Sequence, residues 1–252
     1  MCLVGLALGA APDLPLVLAA NRDERFTRPA APARWWDDVP GLLAGRDLQA
    51  RGTWLGLTRQ GRVAALTNVR TPSPPAAPRS RGELVAGVLA APTPPEAALG
   101  SIARELYPPF SLLAGGPAGL WWTSSLTGTV ERLAPGIHGL SNHLPDSLWP
   151  KVMKVRQGLA QALEGPRAVL VERLFSLLAD RSAAPDAALP DTGVGLALER
   201  GLAPVFVSLP GYGTRCSTVI LFHGGGTVTF HERSFDEHAA VTGEVHVDFQ
   251  VA

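Results

Sequence analysis

Cysteine is almost absent from this chain: Cys2 and Cys216 are the only two among 252 residues. So few thiols exclude a disulfide framework and any zinc site assembled from several cysteines. Lysine is equally scarce, with Lys151 and Lys154 set against twenty arginines. Together with heavy Ala, Gly and Pro use, that skew reads as GC-rich coding. Neither sign of charge predominates, 22 basic residues facing 22 acidic ones. The chain therefore has no global field to recruit nucleic acid, and no nucleic-acid partner is expected. No run approaches the roughly 18 uninterrupted apolar residues that span a bilayer, and the opening lacks the basic flank of a signal peptide. Stable membrane insertion is not expected; a cytoplasmic location is. The six histidines show no paired metal-ligand spacing, and no CxxCH haem-attachment motif occurs. "HGGG" from His223 to Gly226 has no accompanying G-x-S-x-G elbow and reads as a hairpin turn. These residues call for no metal and no cofactor.

What is plentiful is apolar sequence, 46% of the chain, enough for a sizeable core. "CLVGLAL" and "LPLVLAANRD" around "GAAPD" read as a hairpin, as do "TWLGLTR" and "RVAALTNV" around "QG". "TPSPPAAP", Thr71 to Pro78, cannot continue a central strand and is an exposed loop. "GELVAGVLAA" and "PPEAALGSIARELY" read as two helices, the second with Pro95 and Glu96 in a favourable first turn. A meander of "FSLLAGG", "GLWWTSS" and "TVERLAP" follows, then helices over Trp149–Leu163 and Ala168–Asp180, a loop "SAAPDAALPDTG", and strands in "STVILFH", "GTVTFHERSF" and "EVHVDFQVA". Blocks of strands and helices, in place of strict alternation, predict segregated layers: an α+β fold with two antiparallel sheets between helices. Neither repeat nor linker divides residues 1–252, so a single domain is expected.

Polar clusters stand where apolar strands end: Cys2, "NRDE" (Asn21 to Glu24), "TNVR" (Thr67 to Arg70), "SNH" (Ser141 to His143) and "GYGTRCS" (Gly211 to Ser217). Rigid scaffolds present functional groups at such positions. Removal of Met1 would leave Cys2 with a thiol and a free α-amine on one residue, a nucleophile carrying its own base. Arg22 would favour the thiolate. Asp23 would orient the ammonium or meet the substrate, Asn68 and Asn142 would donate to a tetrahedral oxyanion, and Arg215 would balance the thiolate or bind a substrate carboxylate. Plainer readings exist for each: Arg22 and Asp23 as a surface ion pair, the asparagines as turn caps, Trp35, Trp36 and Trp54 as core aromatics, Asp37 and Asp38 as solvated loop residues, and Cys216 as a small hydrophobe.

"MCLVGLAL", "LAANRDERFTRPAAPARWW", "LLAGRDLQARGTWLGLTRQGRVAALTNVR", "RSRGELV", "GLSN" and "GYGTRCSTVIL" resemble the NRDE-motif family, the transport and Golgi organisation 2-like proteins, from end to end of the chain. That family is in turn similar to the cysteine N-terminal-nucleophile hydrolases, such as bile salt hydrolase and penicillin V acylase. The resemblance implies an αββα sandwich and assigns Cys2, Arg22, Asp23, Asn68, Asn142 and Arg215 to the catalytic set, by motif and strand context. The function it implies is an amidohydrolase or acyltransferase acting on a small non-peptide amide or acyl substrate. The alternative it carries is a non-catalytic haem or lipid handling protein, with haem as the ligand in that case. The strands ending in Arg22, Asn68 and Ser141 are expected to converge on the Cys2 sulfur.

Overall fold

The structure, a computed structural model, describes residues 2–252; Met1, whose removal a free Cys2 amine requires, lies outside them. The opening apolar runs form a long hairpin, β1 (Cys2–Ala11) and β2 (Leu14–Arg25). β3 (Ala30–Trp35) and β4 (Leu42–Asp47) follow, two strands the sequence pattern does not announce. β3 contains Pro32 at an irregularity in its register, which it tolerates as an edge strand. The second expected hairpin is β5 (Leu55–Thr58) and β6 (Val63–Asn68).

After the exposed proline loop come α1 (Gly82–Ala90) and α2 (Pro95–Gly100). The sequence suggests one helix through "ARELY", but α2 ends at Gly100, and Arg104–Leu106 is a separate 3₁₀ turn. The meander is β7 (Phe110–Gly116), β8 (Gly119–Ser124) and β9 (Val130–Arg132), followed by β10 (Gly136–Leu140). α3 (Pro150–Glu164) and α4 (Leu170–Leu178) sit where helices are expected, the latter entered through a 3₁₀ turn. A further short helix, α5 (Leu196–Leu202), has no side-chain cap to signal it. β11 (Ser208–Leu209), β12 (Tyr212–Phe222), β13 (Thr227–Phe235) and β14 (Val241–Gln250) complete the chain. "HGGG" is the β12–β13 turn, as read from the sequence.

The strands form two antiparallel sheets of seven. One has the order β10-β1-β2-β12-β13-β14, with β11 also paired to β12; the other runs from β3 to β9 in chain order. Side-chain alternation distributes the apolar residues. Val4, Leu6, Leu18, Ile220 and Phe230 meet Leu57, Val63, Ala65 and Leu113 between the sheets. Leu3, Ala7, Val17 and Val219 face α3 and α4. Ala64, Leu66 and Leu112 face α1 and α2. The result is the expected α+β sandwich, helix–sheet–sheet–helix. Among the described residues no helix is long and apolar enough to cross a membrane, and no group of three or more His, Cys, Asp or Glu is placed to hold a metal ion.

Candidate active site at the end of the first strands

Cys2, Arg22 and Cys216 form one cross-strand row on β1, β2 and β12. Their even-numbered neighbours fill the inter-sheet core, so the row faces the second sheet where the hydrophobic layer gives out. There Cys2 opens onto a cavity of about 190 Å³, lined also by Arg22, Asp23, Thr53, Trp54, Asn68 and Arg81. The Arg22 guanidinium lies 4.2 Å from the centre of the Trp54 ring and faces Asp47 at 3.6 Å and Glu24 at 4.0 Å. Arg28 reaches the same Asp47 oxygen at 2.6 Å. Burial opposes the Asp47 charge, but the Ala50 N–H and Arg28 outweigh it and hold the carboxyl below its ordinary range.

Alternation along β2 sends the NRDE side chains in two directions. Asn21 points into the helix layer, donating to the carbonyls of Leu178 at 2.8 Å and Val205 at 2.9 Å and accepting from Ser217 at 2.6 Å. Arg22 points into the cavity. Asp23, 1% exposed, accepts from Thr214 at 2.8 Å. Arg22 and Asp23 are both buried, so they are not a surface ion pair. Burial raises the Asp23 carboxyl above its ordinary range, opposed first by Lys151.

Strand ends also bring the later motifs to Cys2. Ser141 Oγ donates to the Cys2 carbonyl at 3.0 Å. Asn142 is fully buried and left-handed, with φ of 57°, a conformation asparagine adopts more readily than most residues. Its Nδ2 donates to the Asn68 carbonyl at 2.9 Å, and its own carbonyl accepts from the Arg70 N–H at 2.8 Å. The carboxamide thus ties the end of β6 to the segment after β10, and Asn142, unlike Asn68, does not border the Cys2 cavity. Arg215 lies elsewhere. It is the extra residue of an irregularity in β12 between Thr214 and Cys216, and its Nη1 donates to the carbonyls of Arg25 at 2.9 Å and Arg28 at 3.0 Å. It lines a second cavity of about 160 Å³, with Cys216 and Glu232, on the other side of Arg22 and Trp54.

The two thiols differ in surroundings. Burial raises the Cys2 thiol above its ordinary value, and Arg22 works against that rise. Cys216 is raised further, by burial first and by the neighbouring Glu232. It is buried on β12, as a small hydrophobe would be. Of the tryptophans, Trp54 walls the Cys2 cavity, whereas Trp36 is core and donates to the Ala44 carbonyl at 3.0 Å.

Two cations at the site escape sequence reasoning. Arg81 stands within "RSRGELV", with Nη1 on the Pro109 carbonyl at 3.0 Å. Its loop is held against Gly52: a Cβ there would lie 2.3 Å from the Gly82 carbonyl carbon, and the Thr53 N–H donates to Gly82 at 3.1 Å. Arg81 also borders a groove of about 360 Å³ lined by Val69, Pro72, Pro74, Val194 and Leu198. Lys151, in the first turn of α3, is 2% exposed. The paired glycines of the two "RG" steps were a signal for Arg81; nothing local marks Lys151.

A family model described as Transport and Golgi organisation 2 matches residues 1–237. The chain belongs to that family. The Transport and Golgi organization protein 2 homolog of Homo sapiens is 37% identical over 238 residues, covering 87% of this chain and 86% of its own. The Bos taurus homolog is 38% identical over the same shares, and the Drosophila melanogaster protein 26% identical over 264 residues, 93% and 92% of the two chains. Among solved structures, the C2A mutant of conjugated bile acid hydrolase from Clostridium perfringens superposes with a TM-score of 0.55 at 7% identity, covering 99% of this chain and 92% of that one. This member of the Transport and Golgi organisation 2 family has the α+β fold of the N-terminal-nucleophile hydrolases.

Proposed function

We propose that this chain is a cysteine N-terminal-nucleophile amidohydrolase or acyltransferase acting on a small non-peptide amide or acyl substrate. The observation that carries the proposal is the placement of Cys2, the sole cysteine bordering the 190 Å³ cavity, beside Arg22 and Asn68. Support also comes from the bile acid hydrolase, whose solved mutant replaces a cysteine at its own second position.

A thiol raised by burial needs a local base, and the α-amine freed by removal of Met1 supplies one. The amine takes the thiol proton, and the thiolate attacks the substrate carbonyl carbon, placing negative charge on its oxygen. Asn68, which borders the cavity, is the proposed donor to that oxyanion, Asn142 holds the Asn68 backbone in place through its Nδ2, and Arg22 steadies the charge across the cavity. Collapse breaks the carbon–nitrogen bond, and the leaving amine takes the proton held by the α-ammonium. Water, or an acceptor nucleophile, then attacks the thioester while the amine accepts its proton, and the Cys2 sulfur departs. Asp23 holds the ammonium between the steps. Arg215 is the least engaged of the proposed set; its part is to brace the segment that carries Arg28.

The test is a panel of N-acyl amides and acyl thioesters offered to wild type and Cys2→Ala, after intact mass confirms loss of Met1, with haem and lipid titrations alongside. Turnover confined to wild type is expected. Turnover surviving in Cys2→Ala, or Cys2 alkylating no faster than Cys216, would overturn the proposal.

A further inference from the structure

We infer that Lys151 is a positioning residue for the Cys2–Asp23 pair, supplying a buried positive charge that keeps Asp23 ionised and favours the Cys2 thiolate. The inference rests on the nucleophile role proposed for Cys2 and deepens it.

The chain uses arginine for nearly every cation, and its other lysine behaves as a surface residue, with Lys154 on Asp180 at 3.2 Å and about one-third exposed. Lys151 is 2% exposed, and its Nζ has no hydrogen-bond partner among the described residues. An ammonium so placed breaks two local rules at once. A buried cation normally has a partner, and the first turn of a helix disfavours positive charge. Such departures from local consistency mark functional positions.

The fold takes trouble to put it there. Pro150 opens α3, and glycines in the strands beneath let the helix sit low. A Cβ on Gly5 would come 2.7 Å from Val155 Cγ2, and one on Gly139 2.9 Å from Val152 Cγ1. The first turn is thereby lowered over the strand ends from which Cys2 and Asp23 emerge. The charges felt by Lys151 come from every side: Asp23 on β2, Arg70 after β6, Cys2 on β1 and Glu199 on α5. Arg70 and Glu199 are ion-paired with each other, so their fields largely cancel. Asp23 remains as the charge that Lys151 faces most strongly, and Cys2 lies within reach of the same field. Burial, opposed by Asp23, brings Lys151 down from 10.5 to about 8, so that it still carries its charge near neutrality.

The experiment follows Cys2 alkylation by iodoacetamide against pH, by peptide mass mapping, in Met1-free wild type, K151M and K151R, each checked for fold by circular dichroism. In K151M the Cys2 profile is expected to move about one pH unit higher, an alkylation rate about tenfold lower near neutrality. K151R, which keeps the charge, is expected to recover the neutral-pH rate. K151Q, neutral and of similar length, repeats the test if K151M does not hold its fold. A folded K151M with the wild-type profile overturns the inference alone, as does a folded K151R as slow as K151M. A wild-type Cys2 unreactive at every pH overturns the nucleophile proposal as well, so the two failures are distinguishable.

Discussion

Four adjacent residues, Asn21 to Glu24, face two layers of the molecule and do two jobs. Asn21 is a fastener: its carboxamide ends the Leu178 and Val205 carbonyls and takes the Ser217 hydroxyl, all in the helix layer. Asn21→Ala leaves these buried partners unmet, and each unmet polar group costs on the order of 1–3 kcal/mol. A loss of about 3 kcal/mol in urea unfolding is expected on that scale, with Cys2 alkylation of the folded protein little changed. Arg22 faces the cavity, where its charge is shared with Asp47, Glu24 and the Trp54 ring. The motif's spelling marks it as special; strand alternation separates Asn21 from Arg22, while Asp23, near the end of the strand, also borders the cavity.

At the scale of elements, the regular hairpins and the β7–β9 meander are legible because period-two alternation survives in them. β3 and β4 are not, since β3 carries Pro32 and β4 is built around Ala44 and Gly45. The candidate site divides in the same way. Cys2, Arg22, Asp23, Asn68 and Asn142 stand at strand ends and can be read from the chain; Lys151 cannot, because its position depends on how deeply α3 docks. That depth has a direct test. Gly5→Ala drives a methyl against Val155 Cγ2 at 2.7 Å, and overpacking of this kind costs about 1–3 kcal/mol. Val155→Ala removes the obstructing methyls, leaving the Val155 Cβ position at an ordinary 3.6 Å. The double variant is therefore expected to be more stable than the sum of the two single losses, by a double-mutant cycle in urea. Additive losses would mean that the glycine is not what lowers the helix.

The whole molecule packs four layers around three apolar clusters, and a few ionisable groups are sealed within them; their titration is a property of the global fold. Burial holds the Glu232 carboxyl above its ordinary 4.5, despite the Ala33 N–H that it accepts. The folded chain therefore keeps a proton there that the unfolded chain has lost, and stability declines as pH rises from about 4.5. Asp23, raised by burial in the same direction, adds to the decline. Lys151 has the opposite sign. It falls from 10.5 to about 8 in the folded chain, so between those values the unfolded state binds more protons and stability rises with pH. Cys216, raised well above 9.0, draws stability down again beyond that point. Urea midpoints are accordingly expected to fall from mildly acidic pH toward neutrality, with Lys151 lifting the slope above about 8. Glu232→Gln keeps an acceptor for Ala33 but cannot ionise, and should flatten the acid-side decline. Lys151→Met should remove the upward contribution between about 8 and 9 and, by taking away the main charge opposing the Asp23 rise, steepen the acid-side decline. If the slopes of wild type and Lys151→Met coincide across that interval, the ammonium does not titrate within the folded molecule.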